Sequence, residues 1–138
     1  YGNNFFKTML RLGAERDELS IVGDQIGCPT YGPDLAKAIV AVLPVLKNNL
    51  GLAGLYHYCG NESCTWFDFA TAIFNEAKFI GLKVPQVIKS IESCDFPTLA
   101  HRPKYSVLDT QKIHEAFDVE SSDWRRSIPV IFEKIKGS

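Results

Sequence analysis

The side chains that could do acid–base or nucleophilic chemistry are sparse in this sequence and stand in no catalytic pattern. His57, His101 and His114 lie far apart, and none belongs to an H-E-x-x-H metal-binding pair or accompanies a G-x-S-x-G serine. The four cysteines show no C-x-x-C spacing, so they indicate neither a zinc site nor a disulfide scaffold. We therefore predict no hydrolytic or metal centre and interpret the cysteines as buried, reduced thiols.

Hydride transfer from a nicotinamide cofactor requires two further patterns, and neither is present. The sequence contains no G-x-G-x-x-G turn, which lets a pyrophosphate approach the N-terminus of a helix. No tyrosine is followed four positions later by a lysine, the usual proton-donor pair of such reductases. We therefore expect no catalytic residue, no cofactor-binding residue and no metal ligand on this chain.

A candidate for ligand binding, as opposed to catalysis, is Arg102. It stands in a loop that contains Pro97 and Pro103, where no helical or strand face requires an arginine. An arginine that no element requires for packing could contact a ligand. A surface ion pair would explain the same residue, and both interpretations stand at this point.

Two segments near the N-terminus combine a structural and a ligand-binding interpretation. Asn4 can cap a helix, and a helix N-terminus also presents free amides towards a polar or anionic ligand. Residues 23–32 form a shaped loop, which glycine and proline explain without any ligand. Gln25, Gly27, Pro29 and Thr30 belong to that loop, and turn formation alone accounts for them.

Helices and short strands must position these residues. Helical or strand-like apolar spacing, together with capping residues, defines the elements. The predicted helices are 4–16, a segment from Pro33, 65–80 with a Thr65–Asp68 capping box, 110–117 capped by Asp109, and a last helix capped by Ser121 or Ser122; the predicted strands are 19–22, 54–59 and 87–91.

Two of these predicted helices contain an internal proline. Pro44 and Pro129 cannot donate a backbone hydrogen bond, so we expect one helix or both to be interrupted. The apolar stripe from Trp66 to Ile80 has the spacing of a core-facing helix, and we assign it to the core without a functional role.

Composition excludes several classes of protein. A chain of 138 residues, 46% apolar and 12% aromatic, is enough for one compact mixed α/β lobe covering residues 1–138. A formal net charge of -1 provides no basic face for nucleic acid. No apolar run approaches the roughly 18 to 20 residues of a membrane span, and no signal segment is recognisable. We expect no nucleic-acid or membrane partner and a cytoplasmic location.

Three segments, in order, carry a resemblance to a known family. They are G-N-N-F-F-K-T-M-L-R-L (2–12), D-Q-I-G-C-P-T (24–30) with D-L-A (34–36), and R-P-K-Y-S-V-L-D (102–109). G-L-Y-H (54–57) and G-N-E-S-C-T-W (60–66) stand between them. Each motif is common alone, but their order and spacing resemble the dTDP-4-dehydrorhamnose reductase family of extended short-chain dehydrogenases.

The resemblance implies both a fold and a function. The chain would be the small, C-terminal, sugar-nucleotide-binding lobe of an α/β protein, a fragment that lacks the N-terminal Rossmann domain. That domain would bind NADPH or NADH and reduce dTDP-4-dehydro-L-rhamnose to dTDP-L-rhamnose for cell-surface polysaccharides, so this chain alone should be inactive. By resemblance, the residues that bind the dTDP-sugar would be Asn4, Phe5, Gln25, Gly27, Pro29, Thr30 and Arg102.

A non-catalytic role stays open beside the reductase. The regulatory subunit of methionine adenosyltransferase is similar in the same segments, including the turn Gly60–Glu62 and the Arg102-Pro103 pair. We also expect strands near Leu19 and Tyr56 to expose edges that the Rossmann sheet would cover. The chain should then self-associate or be marginally stable, and a homodimer remains one option.

Overall fold

The structure is a computed structural model that describes residues 2–96, 98, 100 and 102–136. Its helices and strands, in chain order, are α1 (Phe5–Glu15), β1 (Glu18–Val22), β2 (Ile26–Gly27), α2 (Gly32–Asn48), β3 (Cys64–Thr65), α3 (Trp66–Phe79), β4 (Val87–Ile91), α4 (Gln111–Phe117) and α5 (Trp124–Lys136). This arrangement confirms the predicted mixed helix/strand fold class. None of the described helices has both the length and the hydropathy needed to cross a membrane.

The chain forms two compact units, and the first is built on a parallel pair of strands. It comprises Tyr1–Gly27, Cys64–Ser106 and Arg125–Ser138. Strand β1 pairs with β4, so that Leu19 lies opposite Ile88. Leu19 and Ile21 are buried while Ser20 between them is exposed, because successive side chains of a strand point to opposite faces. Both predicted strands, 19–22 and 87–91, are confirmed.

Helices α1 and α3 pack against each other in this first unit, and both begin where the sequence predicts. The Asn4 side chain accepts a hydrogen bond from the Lys7 amide at 2.9 Å. At the start of α3, the Asp68 amide donates to the Thr65 hydroxyl, and the Thr65 amide donates to the Asp68 carboxylate, both at 3.0 Å. These bonds satisfy amides that have no partner within the helix.

The core of the first unit is built by side chains from α1, β1, β3, α3 and α5. Its buried apolar residues are Phe6, Met9, Leu19, Ile21, Cys64, Ala70, Ile73, Phe74, Ala77, Ile128 and Phe132. Phe6 packs on Phe132 with ring centroids 5.2 Å apart, which ties α1 to α5. The predicted core role of the stripe is confirmed for Ala70, Ile73, Phe74 and Ala77. It is wrong for Trp66, which is 37% exposed because it stands at the first turn of the helix.

The second unit comprises Cys28–Ser63 and Val107–Trp124. Helices α2 and α4 pack together around a cluster of Ala38, Ile113, Phe117 and Val119. The start of α2 is held by Ser122, whose hydroxyl donates to the Asp34 carboxylate at 3.0 Å and accepts from the Tyr31 amide at 3.2 Å. Pro33 lies in the first turn of α2, as predicted.

The segment 54–59 is not a strand, and this prediction is wrong. Its backbone bonds to other groups: the Lys112 ammonium donates to the Leu55 carbonyl at 2.8 Å, and the Ser122 amide donates to the Cys59 carbonyl at 3.2 Å. Alternating side chains predict an extended backbone, whereas a strand also needs a neighbouring strand. Among the described residues, no strand runs beside this segment, and the strand near Leu19 is paired with β4.

The two internal prolines do not end their helices, contrary to the prediction. Helix α2 continues through Pro44 to Asn48, and α5 continues through Pro129 to Lys136. A proline removes one donor and leaves the carbonyl four residues earlier without its usual partner. For Pro44 that carbonyl belongs to Val40, which is exposed, so water can replace the missing donor.

The burial of the cysteines differs from prediction, while the predicted serine cap of α5 stays a prediction. Helix α5 begins at Trp124, and Asp123 directly precedes it. Ser121 shares a hydrogen bond of 3.0 Å with Thr110. The four cysteines are free, but only two, Cys59 and Cys64, are buried. Cys94 is exposed because it lies on a short 3-10 turn at the surface.

Candidate functional site

An aromatic and amide cluster lies on the first unit and contains two of the predicted site residues. Phe5 packs against Trp66 with ring centroids 4.7 Å apart and is stacked on Phe69 at 5.6 Å. The Trp66 indole N–H donates to Gln25 Oε1 at 3.2 Å. The structure therefore brings Phe5 and Gln25 together through Trp66, with Asn4 directly before Phe5.

A chain of polar contacts continues from Gln25 to a cation. Gln25 Nε2 donates to Ser93 Oγ at 2.8 Å, and that hydroxyl donates to Asp24 Oδ1 at 2.6 Å. The Ser93 amide also donates to Asp24 Oδ1 at 2.9 Å. The other oxygen, Asp24 Oδ2, faces the Lys104 ammonium at 3.3 Å. Both ends of the Gln25 amide are thus used within the protein, so Gln25 can position its neighbours.

The pKa of Asp24 is lowered from its ordinary value by this environment. The hydrogen bond from the Ser93 hydroxyl is the largest cause, and desolvation, which raises the pKa, opposes it. The Lys104 ammonium and the Ser93 amide lower it further. Hydrogen bonds and a nearby positive charge both favour the ionised carboxylate. The Asp24 carboxylate is therefore ionised at neutral pH, and it faces the Lys104 ammonium.

Gly27 forms part of a short strand pair next to this cluster. It lies in β2, opposite Cys64 of β3. A side chain at Gly27 would come within 2.9 Å of Ser106 Oγ, so glycine allows the close approach of the 102–106 loop. The Ser106 amide and hydroxyl both donate to the Ile26 carbonyl, at 2.9 and 3.1 Å. This pairing ties the loop that carries Arg102 to the loop that carries Gln25.

Arg102 is exposed and has no hydrogen bond or ion pair with any of the described residues. The ion-pair interpretation of this arginine therefore has no support in the described part of the chain. Lys7, near the start of α1, donates to the Gly2 carbonyl at 3.3 Å and is exposed. His101, beside Arg102, lies outside the described residues.

Pro29 and Thr30 belong to the second unit, where their contacts are structural. The Thr30 hydroxyl donates to the Cys28 carbonyl at 3.1 Å. The Pro29 carbonyl contacts Gly60 so closely that a side chain at Gly60 would clash with it. Their assignment to a ligand site therefore stays a prediction.

The cluster includes residues that the sequence reasoning missed. Trp66, Asp24, Ser93 and Lys104 were not among the predicted binding residues, although D-Q (24–25) and R-P-K (102–104) belong to the segments that carry the resemblance. Ser93 stands 68 positions from Gln25, and no local pattern indicates a contact over that separation. The sequence did contain one indication for Trp66. It stands at the first turn of a predicted helix, where an apolar residue of the core-facing stripe need not be buried.

The start of α2 does not fit the pyrophosphate of a dinucleotide. The start of α2, which follows the first strands, offers few free amides: Pro33 has none, and the Tyr31 amide is bonded to Ser122. Asp34 in its first turn adds a negative charge that would repel a pyrophosphate. Within the described ranges no group of three His, Cys, Asp or Glu side chains is placed to hold a metal ion.

A separate groove of about 640 Å³ lies on the first unit between α3 and α5. Its lining is mixed, with Phe67 and Ile128 beside Asn75, Glu76 and Arg125. None of the predicted binding residues lines it. It is therefore distinct from the Phe5–Trp66–Gln25 cluster.

Comparison with known proteins agrees with this mixed helix/strand class. The model of the RmlD substrate binding domain matches residues 1–136. The chain therefore belongs to the RmlD substrate binding domain family.

Several similar proteins are dTDP-4-dehydrorhamnose reductases. A dTDP-4-dehydrorhamnose reductase of Aggregatibacter actinomycetemcomitans is 44% identical over 132 residues, which are 93% of this chain and 44% of the relative. The solved dTDP-4-dehydrorhamnose reductase of Clostridium acetobutylicum superposes with a TM-score of 0.84 at 35% identity, over 98% of this chain and 45% of that one. The Bacillus anthracis enzyme, solved in complex with NADP, gives 0.81 at 36% identity, over 97% and 44%. The chain thus spans less than half the length of these relatives.

Proposed function

We propose that this chain binds the sugar-nucleotide substrate of an NAD(P)H-dependent reductase that converts dTDP-4-dehydro-L-rhamnose to dTDP-L-rhamnose. The family match supports the substrate-binding role, and the relatives' name supports the reaction. The NADP complex of the Bacillus anthracis enzyme supports the cofactor, which residues outside this chain would hold. The product would feed cell-surface polysaccharide synthesis in the cytoplasm.

The observation that carries the proposal is the loop 102–106 with its two cations. Arg102 has no protein partner among the described residues, and Lys104 stands two residues later with Asp24 beside it. The Ile26 amide donates to the Lys104 carbonyl at 2.8 Å, which fixes this loop against the Gln25 segment. A diphosphate carries several negative charges and planar oxygens that a guanidinium binds with paired hydrogen bonds.

We propose a separate role for each of the predicted binding residues. Arg102 would bind the diphosphate, while Phe5 and Asn4 would contact the remainder of the nucleotide. Gln25 would act mainly by orienting Trp66, since both ends of its amide are bonded within the protein. Gly27 would allow the close approach of the loop, and the ligand role given to Pro29 and Thr30 by resemblance stays a prediction.

The test is calorimetric titration of the chain with dTDP-rhamnose and, separately, with NADPH. We expect dTDP-rhamnose to bind, NADPH not to bind, and Arg102→Ala to weaken dTDP-rhamnose binding at least about tenfold, since charge-assisted bonds to a phosphate are strong. Arg16→Ala is the matched control. Arg16 is also an exposed arginine, and it lies at the C-terminal end of α1, away from the predicted binding residue Asn4 at the N-terminal end. NADPH binding, or an equal loss in both variants, would contradict the proposal.

A further inference from the structure

We propose that Trp66 is a substrate-contact residue on which, together with Phe5, the nucleobase of the sugar nucleotide stacks. This inference rests on the proposed function and adds to it a residue and an orientation of the ligand. It starts from a difference between the two tryptophans of the chain. Trp124 is 2% exposed, whereas Trp66 is 37% exposed.

Trp66 is exposed and yet held in place by three restraints. Its helix starts at a complete capping box, which fixes the backbone of the first turn. Its indole N–H is bonded to Gln25, and its ring packs against Phe5 with an interplanar angle of 45°. A large aromatic surface that is both rigid and open to solvent can bind a flat ring with little loss of conformational entropy.

The polar contacts beside Trp66 connect it to a cation, and this suggests how a ligand would be oriented. Gln25, which holds the indole, leads through Ser93 and Asp24 to the Lys104 ammonium, over contacts of 2.8, 2.6 and 3.3 Å. The first unit therefore presents an aromatic surface and a cation that are joined by one contact chain. A nucleoside diphosphate has the same order of parts, with a flat base at one end and an anionic group at the other.

The inferred orientation places the base on Trp66 and the diphosphate towards Lys104 and Arg102. Asp24 and Ser93 would then be positioning residues, because they hold the cation and the amide but do not face the base. Base–aromatic stacking does not depend on which base is present, so Trp66 would add affinity for the nucleotide without selecting the sugar.

The test is a titration of the chain with dTDP and, in parallel, with inorganic pyrophosphate, read by calorimetry and by tryptophan fluorescence. We expect dTDP to quench the exposed tryptophan, and pyrophosphate to bind without quenching because it has no base. Trp66→Ala should lower the affinity for dTDP at least about tenfold and leave that for pyrophosphate unchanged. Trp66→Phe, which keeps an aromatic face, should lose less affinity and serves if the alanine variant does not fold by circular dichroism.

The matched control is Phe79→Ala, since Phe79 is an aromatic residue at the other end of α3 and is 85% exposed. It should bind dTDP like the parent chain. If parent, Phe79→Ala and Trp66→Ala all bind dTDP equally, the role of Trp66 is overturned while the proposed function stands. If the parent chain binds neither dTDP nor pyrophosphate, the proposed function fails, and the base-stacking role fails with it.

Discussion

Asp24 joins the two loops of the candidate site through one carboxylate. Its Oδ1 accepts two hydrogen bonds from Ser93, and its Oδ2 faces the Lys104 ammonium. The Ser93 hydroxyl in turn accepts a hydrogen bond from the Gln25 side chain. The Asp24 carboxylate is therefore connected both to Gln25, which bonds the Trp66 indole, and to the Lys104 ammonium. We therefore expect the contribution of these contacts to stability to depend on the ionisation of Asp24.

This dependence gives a prediction for the variant Asp24→Asn. The folded pKa of Asp24 lies below its ordinary value of 3.8, so the ionised carboxylate contributes stability above that value, and the contribution is lost as the pH falls through the lower folded pKa. Asp24→Asn should therefore lower the Tm at pH 7 and have a smaller effect near pH 3. Thermal unfolding at the two pH values measures this difference.

The control is Asp95→Asn, which changes an exposed carboxylate close to Ser93 on the same short 3-10 turn. It should leave the Tm nearly unchanged at both pH values. An equal loss of stability for Asp24→Asn at pH 7 and at pH 3 would mean that the carboxylate charge is not what holds the loops.

At the scale of secondary-structure elements, local sequence patterns predicted the helix cap of α3 correctly but failed for the segment 54–59 and for Pro44. The Thr65–Asp68 capping box lies within four residues, and it could be predicted because both partners are on the same turn. The segment 54–59 has the alternation of a strand but no neighbour, and pairing depends on residues far away in the sequence. Pro44 was expected to interrupt α2, but its exposure, which makes the proline tolerable, is a property of the fold.

The same distinction applies to the candidate site. Asn4 could be predicted as a helix cap, and Gln25 and Arg102 could be named from their loops by resemblance. The contacts that join them run through Ser93, which is 68 positions from Gln25, and through Trp66, 41 positions away. Contacts over such separations are set by the parallel pairing of β1 with β4 and by the packing of α3, so residue spacing alone does not predict them.

The capping box of α3 gives a prediction at this scale. Thr65→Ala removes the hydroxyl that accepts from the Asp68 amide, and the loss of an N-cap of this kind costs about 1 kcal/mol. Denaturant unfolding should show a lower free energy of unfolding by about that amount. Since Trp66 is the first residue of the helix, the quenching of its fluorescence by iodide should also rise in the folded state.

The control for the cap is Thr71→Ala on the same helix. The Thr71 hydroxyl donates to the Phe67 carbonyl at 2.8 Å within the helix, a bond that the backbone does not need. Alanine has the higher helix propensity, so this variant should keep the stability of the parent chain. A loss equal to that of Thr65→Ala would mean that the cap contributes nothing specific.

At the scale of the whole chain, the main unexplained feature is an apolar surface on the second unit. Helix α2 buries Ala38 but exposes a run of large apolar side chains on another face. They are Leu35, Ile39, Val40 and Leu43, with exposures between 40% and 67%. Leu50 and Leu55 of the same unit are more exposed still, at 78% and 74%. Scattered apolar residues are normal on a surface, but a continuous helical face of them favours association.

We expect the isolated chain to self-associate through this face of α2, and not through the strand edges that the sequence suggested. Burying this apolar surface would stabilise a dimer. Because association depends on concentration by mass action, the sedimentation coefficient should then rise as the protein concentration is raised about tenfold. The double variant Val40→Lys, Leu43→Lys should remove the rise, since it places two charges on the face. Phe79→Lys also places a charge at an exposed apolar residue, but on the first unit, and it should leave the rise of the sedimentation coefficient unchanged. A single sedimentation coefficient at all concentrations would show that the exposed face of α2 does not bring two chains together.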